Sequence, residues 1–286
     1  MSERIFVFGM GYTATAFART LGDRAEWIRG TTRAGANDTR RFDGRIIDPA
    51  IAADIATATA LIVSVPPGEG ADPVLAHFAE AIAAAPALRW IAYLSTVGVY
   101  GNYGGAWVTE ATTPHPATDR ARARLKAERE WTALAARRNI PLAVFRIAGI
   151  YGPGRNAFVA LTEGRAHRAV KPGQVFNRIH VDDIAAALVA SLQRQAGGVF
   201  NLADNLPAPP QDVVAHAAGI MGVPPPPEGP LAEAGLSPMA LSFYAGNARV
   251  SNQKAKDDLG LALRYPTYRE GLAALWRDGN WKSLQP

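Results

Sequence analysis

The sequence predicts an α/β protein built on a doubly wound parallel sheet, and three observations carry the prediction. Short apolar runs alternate with amphipathic helical stretches from the first residues, and a glycine turn joins the first run to the first helix. Hydrophobic residues make up 48% of the 286 positions and charged ones 19%, enough apolar surface for a large core. Parallel strands need a crossover between them, so the alternation itself puts helices on both faces and ligand sites at the carboxyl ends of the strands.

Each element follows from its residues. Ile5 to Phe8 is a short apolar run, and Thr13 to Leu21 repeats apolar residues at helical spacing. Ala25 to Ile28, Arg45 to Ile47 and Ala60 to Val65 read as the next strands. Asp72 to Ala85 has the pattern of an amphipathic helix, opened by Asp72 as N-cap and Pro73 in the first turn. Leu88 to Leu94 and Leu142 to Ile147 are further strands, with the long helix Asp119 to Arg138 between them. After residue 151 the rhythm changes to Gly/Pro-rich loops, with a helix at Val181 to Gln193, a strand at Gly198 to Leu202 and a proline cluster from Pro207 to Pro227. Within that cluster Val223 to Pro227 favours extended polyproline geometry over helix. This second half reads as a smaller lobe.

Composition excludes several function classes. The apolar stretch Ala79 to Ala87 is broken by Glu80 and Pro86 and falls short of the roughly 20 residues of a membrane helix. Met1 to Gly9 carries Glu3 and Arg4 and passes straight into a strand and a glycine turn, so no signal peptide is expected and the expected compartment is the cytoplasm. The absence of Cys removes disulfides, thiol nucleophiles and thiolate metal sites together. A net charge of +5 sets 25 Arg and 5 Lys, mostly scattered, against 25 Asp plus Glu. The densest run, Arg120, Arg122, Arg124, Lys126 and Arg129, is interleaved at helical spacing and reads as a solvated helix face, so no nucleic-acid partner is expected.

The segment Gly9-Met10-Gly11-Tyr12-Thr13-Ala14 ends the first strand and opens the first helix, the context in which a G-x-G-x-x-G/A pattern has meaning. Gly9 permits the tight turn, Gly11 lets the backbone approach a pyrophosphate, and Ala14 is small enough for close helix packing. An NAD site usually places Asp or Glu about 20 residues on, to accept from the ribose 2′-OH. Here that region reads Trp27-Ile28-Arg29-Gly30-Thr31-Thr32-Arg33, where a guanidinium and two hydroxyls suit a 2′-phosphate. The expected cofactor is NADP in preference to NAD, with Arg33 the main determinant.

Four segments in order resemble the signatures of extended short-chain dehydrogenase/reductases, the NAD-dependent epimerase/dehydratase group. They are the start Ile5 to Gly11, Tyr93-Leu-Ser-Thr-Val-Gly-Val-Tyr-Gly101, Arg146-Ile-Ala-Gly-Ile-Tyr-Gly-Pro-Gly154 and Arg178-Ile-His-Val-Asp-Asp-Ile184, with Gly198 to Asp204 similar to the group's late strand. The resemblance implies a Rossmann core over 1–150, joined by the strand and helix of 178–204. It also implies a discontinuous C-terminal substrate lobe from 151–177 and 205–286. Homodimers are common in that family; whether this chain is a monomer or a homodimer is not legible in its sequence.

The resemblance also implies site residues. Thr96, with Ser95 beside it, matches the family's Ser or Thr that binds the reacting oxygen. Lys126 matches the Lys of the family's Y-x-x-x-K pair, but Arg122 stands where the Tyr belongs, as in atypical members that lack the tyrosine. A guanidinium stays protonated, so Arg122 can orient an anion but cannot cycle a proton. Tyr103, Glu110, His115, Asp119 and Tyr151 are the remaining proton-transfer candidates, each also readable as structural or solvated. Asp48, Ser64, Val65 and Pro66 match positions contacting adenine and the cofactor riboses, and Ile147, Ala148 and Gly149 match the segment passing the nicotinamide. Met10, Tyr12 and Thr13 complete the expected cofactor contacts. His180 with Asp182 and Asp183 suggests a metal site, but a packed histidine, with Asp182 or Asp183 as the helix cap, is the plainer reading and no metal is expected. Sugar-nucleotide enzymes usually carry a basic residue shortly before the His-Val-Asp-Asp stretch, where this chain has Phe176, Asn177 and a shifted Arg178. Arg155, Arg165, Arg168 and Lys171 either bind an acidic substrate group or are surface charges.

Two functions remain open. One is an NADP-dependent oxidoreductase or epimerase-like enzyme acting on a small carbonyl, hydroxyl or sugar-type substrate. The alternative is a catalytically degenerate NADPH sensor that reports occupancy to a partner.

Overall fold

The computed structural model describes residues 2–35, 39–68 and 70–283. Its centre is a parallel sheet of seven strands: β1 (Glu3–Phe8), β2 (Ala25–Thr32), β3 (Arg40–Arg41), β4 (Ala60–Val63), β5 (Trp90–Thr96), β7 (Leu142–Ile147) and β11 (Gly198–Leu202), in spatial order β11-β7-β5-β4-β1-β2-β3. Strand alternation sorts side chains to two faces. Ile5, Val7, Ile62, Leu94, Phe145 and Phe200 pack with the helices α1 (Tyr12–Leu21), α6 (Val181–Arg194) and α9 (Gln253–Leu259). Phe6, Phe8, Leu61, Val63, Tyr93 and Val144 pack with α2 (Ala50–Thr57), α3 (Pro73–Ala84) and α4 (Asp119–Arg138). With both faces covered, this is the expected Rossmann-like arrangement.

The rest is built from short pieces. Three two-stranded parallel ribbons join β6 (Asn102–Val108) to β13 (Asn247–Val250), β8 (Gly149–Tyr151) to β10 (Arg178–His180) and β9 (Arg168–Val170) to β12 (Glu228–Pro230). A separate small core of Tyr151, Phe158, Val213, Ala217, Tyr268 and Leu272 is shared by α5 (Ala157–Thr162), α7 (Pro210–Met221) and α10 (Tyr268–Arg277). The short α8 (Pro238–Ser242) carries exposed Met239 and Leu241. No helix among the described residues is long and apolar enough to cross a membrane.

Three local points of the sequence reading need correction or completion. The third strand is Arg40–Arg41, not Arg45 to Ile47, where only Ile47 bridges back to Phe42; the apolar pair Ile46-Ile47 is exposed instead. Val223 to Pro227 lies outside any helix, as expected, but the proline cluster also holds a helix the sequence reading did not name, α7, because Pro209 and Pro210 lie at its start, where missing N–H groups cost nothing, and Gly222 ends it in the left-handed conformation. His180, not Asp182 or Asp183, caps α6: its Nδ1 accepts from Asp182 N–H at 3.2 Å, while Asp183 turns away to accept from the amides of Arg264 and Tyr265. The expected Asp72 cap is present, accepting from Val74 and Leu75.

Candidate functional site

The first turn of α1 opens at the carboxyl end of β1, where the strand order reverses between β2 and β4. Gly9 has φ +92°, and a Cβ there would lie 3.2 Å from Val65 Cγ2, so the loop presses on the segment after β4 and admits no side chain. Gly9 N–H donates to Thr31 Oγ1 at 3.0 Å and Met10 N–H to the Thr31 carbonyl at 2.8 Å, which pins the loop to β2. Gly11 is the N-cap of α1; it offers no side-chain cap, has open space where its Cβ would be, and no acidic residue stands in the first turn. A pyrophosphate fits this cradle: room to approach, amides free of a side-chain cap and the positive end of a helix dipole. Tyr12 reaches across to donate to the Pro153 carbonyl at 3.0 Å, and burial pushes its phenol up to about 12. Thr13 is buried under the loop.

At the carboxyl end of β2, Thr31 is fully buried and engaged with the glycine loop, so it positions the loop instead of facing outward. Thr32 Oγ1 lies 2.7 Å from Thr39 Oγ1 and accepts from Gly35 N–H. Of the arginines around this strand end, Arg29 and Arg40 both pair with buried Asp54, at 2.7 and 2.8 Å. Arg33 is exposed and no carboxylate among the described residues pairs with it. Asp48 is engaged locally, accepting from Ala50 N–H at 2.9 Å. Ser64 N–H bonds the Phe8 carbonyl, which sets Val65 and Pro66 beside the loop.

The carboxyl ends of β5, β7 and β11 carry a polar row. Ser95 is the register partner of Arg146, which is the partner of Asn201. Glu128 from α4 covers the row, accepting from Ser95 Oγ and, in a fork, from Arg146 Nη2 at 2.9 Å and Nε at 3.3 Å. Arg146 also donates to Tyr100 Oη, which in turn donates to Asn201 Oδ1. Glu128 and Arg146 side chains are each 6% exposed, and their mutual bonds allow two charges to sit there. Thr96 follows at the surface end of β5, where its Oγ1 accepts from Gly98 N–H at 3.1 Å and so keeps its own proton free for an external acceptor. Ile147 and Ala148 close the end of β7, with Ala148 N–H on the Leu202 carbonyl.

The two expected residues of α4 lie on its exposed side. Arg122 pairs with Asp119 and donates to the Pro116 carbonyl; Lys126 donates to the Gly70 carbonyl at 2.6 Å and lies near Glu130. Arg124, read from the sequence as part of a solvated face, is a correction: it turns towards the sheet. Half-buried itself, it flanks the buried stripe of Ala121, Leu125 and Glu128, and its Nη1 donates to the Leu94 carbonyl at 2.9 Å and to Tyr93 Oη at 3.2 Å. The signal was available: Arg124 stands four residues before Glu128, so the two share a helix face.

The proton-transfer candidates are engaged elsewhere. Tyr103 donates to the Thr113 carbonyl and lies tilted against the His115 ring, Glu110 accepts from Asn201 N–H, and Asp119 is exposed beside Arg122. Tyr151 donates to the Thr267 carbonyl, and burial raises its phenol beyond any working range. Three of the four basic residues considered for an acidic substrate are also partnered: Arg165 with Glu163, Arg168 with Glu228, and Lys171 with the Tyr244 carbonyl. His180 packs between Tyr151 and Tyr265, and no group of three or more His, Asp or Glu that could hold a metal occurs among the described residues.

Near Arg178, burial pushes Asp204 up to about 7, and its Oδ2 has no hydrogen-bond partner among the described residues. A carboxyl with a folded pKa above its unfolded value of about 3.9 favours the fold when protonated; that contribution is complete below about pH 4 and lost as pH rises towards the folded value. Asp183, pushed up to about 6 by burial, adds the same sign, whereas His180, held down at about 4 by burial, adds the opposite one. Asp204→Asn is therefore expected to gain stability over wild type progressively as pH rises from about 4 to about 7, read as the difference in Tm. A difference that does not vary with pH would contradict the assignment.

A sequence-family model described as the NAD dependent epimerase/dehydratase family matches residues 75–203. The chain is 44% identical to a conserved protein of unknown function from Silicibacter pomeroyi, over 97% of this chain and 99% of that one, with a TM-score of 0.86. It is 31% identical over 161 residues to a 3-diazoavenalumate denitrifying reductase from a Streptomyces species, a match covering 52% of each protein. The chain spans about half the length of the curated relatives it matches. The fold alone is shared with UDP-glucuronic acid 4-epimerase from Bacillus cereus, solved in complex with NAD: 18% identity, 96% of this chain, 95% of that one and a TM-score of 0.76.

Proposed function

The chain belongs to the NAD-dependent epimerase/dehydratase family, and from that premise we propose that it is an NADP-dependent oxidoreductase acting on a small carbonyl or hydroxyl compound. The observation that carries the reading is the glycine loop at the strand-order reversal, uncapped and open at Gly11, with Thr96 offering a free hydroxyl proton two strands away. The glycine loop would hold the pyrophosphate, and Thr32 and Arg33 the 2′-phosphate. The bound dinucleotide supplies hydride exchange at its nicotinamide ring. Thr96 donates its hydroxyl proton as a hydrogen bond to the substrate oxygen and steadies negative charge there. Residues 151–177 and 205–286 form the substrate lobe in this reading. The partnered state of Arg165, Arg168 and Lys171 favours a substrate without a diphosphate, and the reductase relative favours reduction over epimerisation.

The preference for NADP rests on Arg33 as the arginine at this strand end that no described carboxylate neutralises, in a region without an acidic residue for a ribose 2′-OH. Arg33→Asp is expected to weaken NADPH by about tenfold to a hundredfold, the loss of a charge-assisted contact, with NADH little changed. Calorimetric titration of both cofactors checks it; equal losses would remove Arg33 from the 2′-phosphate site. The sensor reading keeps one specific support: Tyr103, Glu110, Asp119 and Tyr151 are each engaged by a protein group other than Thr96.

A further inference from the structure

Resting on the dinucleotide reading, we propose that Trp281 is a positioning residue of the cofactor loop, acting on Tyr12 through the turn at 152–156. That turn is gripped from two sides. Gly152 and Arg155 close it by exchanging backbone hydrogen bonds at 2.9 and 3.0 Å. From the side of the loop, Tyr12 Oη donates to the Pro153 carbonyl at 3.0 Å. The fit is close: a Cβ at Gly152 would lie 2.5 Å from Tyr12 Oη and 2.9 Å from Val181 Cγ1, so only glycine admits the phenol. From the other side, the Trp281 carbonyl accepts from Gly154 N–H at 2.9 Å and from Asn156 Nδ2 at 2.7 Å. Asn156 Nδ2 also donates to the Gly152 carbonyl at 2.8 Å, and its Oδ1 caps α5, so the grip of Trp281 extends to both ends of the turn.

The bonds at Trp281 are made by its backbone, but its ring decides where that carbonyl lies. The indole stacks on Trp276 with centroids 5.8 Å apart and meets Phe158 edge-on at 6.0 Å, which docks the chain after α10 against the small core. At the far end of the path, Tyr12 is the first residue of α1, and its amide belongs to the helix start that would receive the pyrophosphate. A side chain tied at its tip to the Pro153 carbonyl holds that helix start in one orientation, so a shift of the turn is passed to the amides. Linkage makes the effect reciprocal: a dinucleotide that fixes Tyr12 also steadies the turn and the Gly154 bond to Trp281.

The test uses the full chain and NADPH. Trp281→Ala is expected to weaken NADPH by about threefold to tenfold, the effect of about one net hydrogen bond, and Trp281→Phe to regain most of the affinity. Tyr12→Phe, which removes only the hydroxyl, should weaken NADPH to a similar extent. Adding Trp281→Ala to it should cost nothing more, because the two residues act in series. Hydrogen exchange at the Gly154 amide reads the same link without altering Trp281: NADPH should slow it in wild type and leave it unchanged in Tyr12→Phe. Losses that multiply in the double variant mark Trp281 as a structural residue and overturn the proposal, as does a Gly154 amide in wild type that is indifferent to NADPH. Failure of wild type to bind NADPH in a calorimetric titration is a different result: it removes the dinucleotide reading itself, before any variant is compared.

Discussion

Replacing Arg146 by methionine is expected to lower the free energy of unfolding by about 3–5 kcal/mol, because it strands a carboxylate in the interior. Glu128 would keep the Ser95 hydroxyl but lose the forked guanidinium, and Tyr100 would lose a donor in the same step. The cost comes from the uncompensated charge more than from the lost attraction, so removing both charges in Glu128→Leu/Arg146→Met should recover much of the loss. Urea denaturation of the two single variants and the double one reads the coupling. Additive losses would show that the pair is not the unit described here.

Thr96→Ala is expected to reduce turnover by about 10²–10³-fold, the usual effect of losing one donor to a developing oxyanion, while the NADPH dissociation constant stays near wild type. The reason is local: Oγ1 is already an acceptor for Gly98 N–H, and its own proton has no acceptor among the described residues. Thr96→Ser keeps that hydroxyl and should keep most of the rate. The assay is NADPH oxidation with the fastest compound of a panel of 2-oxo acids, aldoses and aryl ketones. Tight NADPH binding with no oxidation by wild type across the panel would favour the sensor instead.

Much of the fold was legible because its code is local and periodic. The glycine turn after Phe8, the Asp72-Pro73 start of α3 and the apolar strands Leu142 to Ile147 and Gly198 to Leu202 each announce themselves within a few residues. The short strand Arg40–Arg41 did not, since two charged residues have no strand pattern of their own and join the sheet only because β2 offers Thr31 and Thr32 as partners. Helix α7 was hidden by prolines that mark its beginning as readily as they mark its absence.

Sequence alone determined the layered α/β architecture and the glycine turn between β1 and α1, because periodicity and glycine placement are properties of neighbours along the chain. Tertiary structure decided which arginine of α4 faces the sheet, that Thr31 is buried under the loop, and that Ser95, Glu128, Arg146 and Asn201 form one network. Those outcomes depend on where β4 ends against β5 and on which strands lie side by side. A helix rotated by two residues exchanges its buried and exposed charges without changing its composition, and only the packed sheet chooses between them.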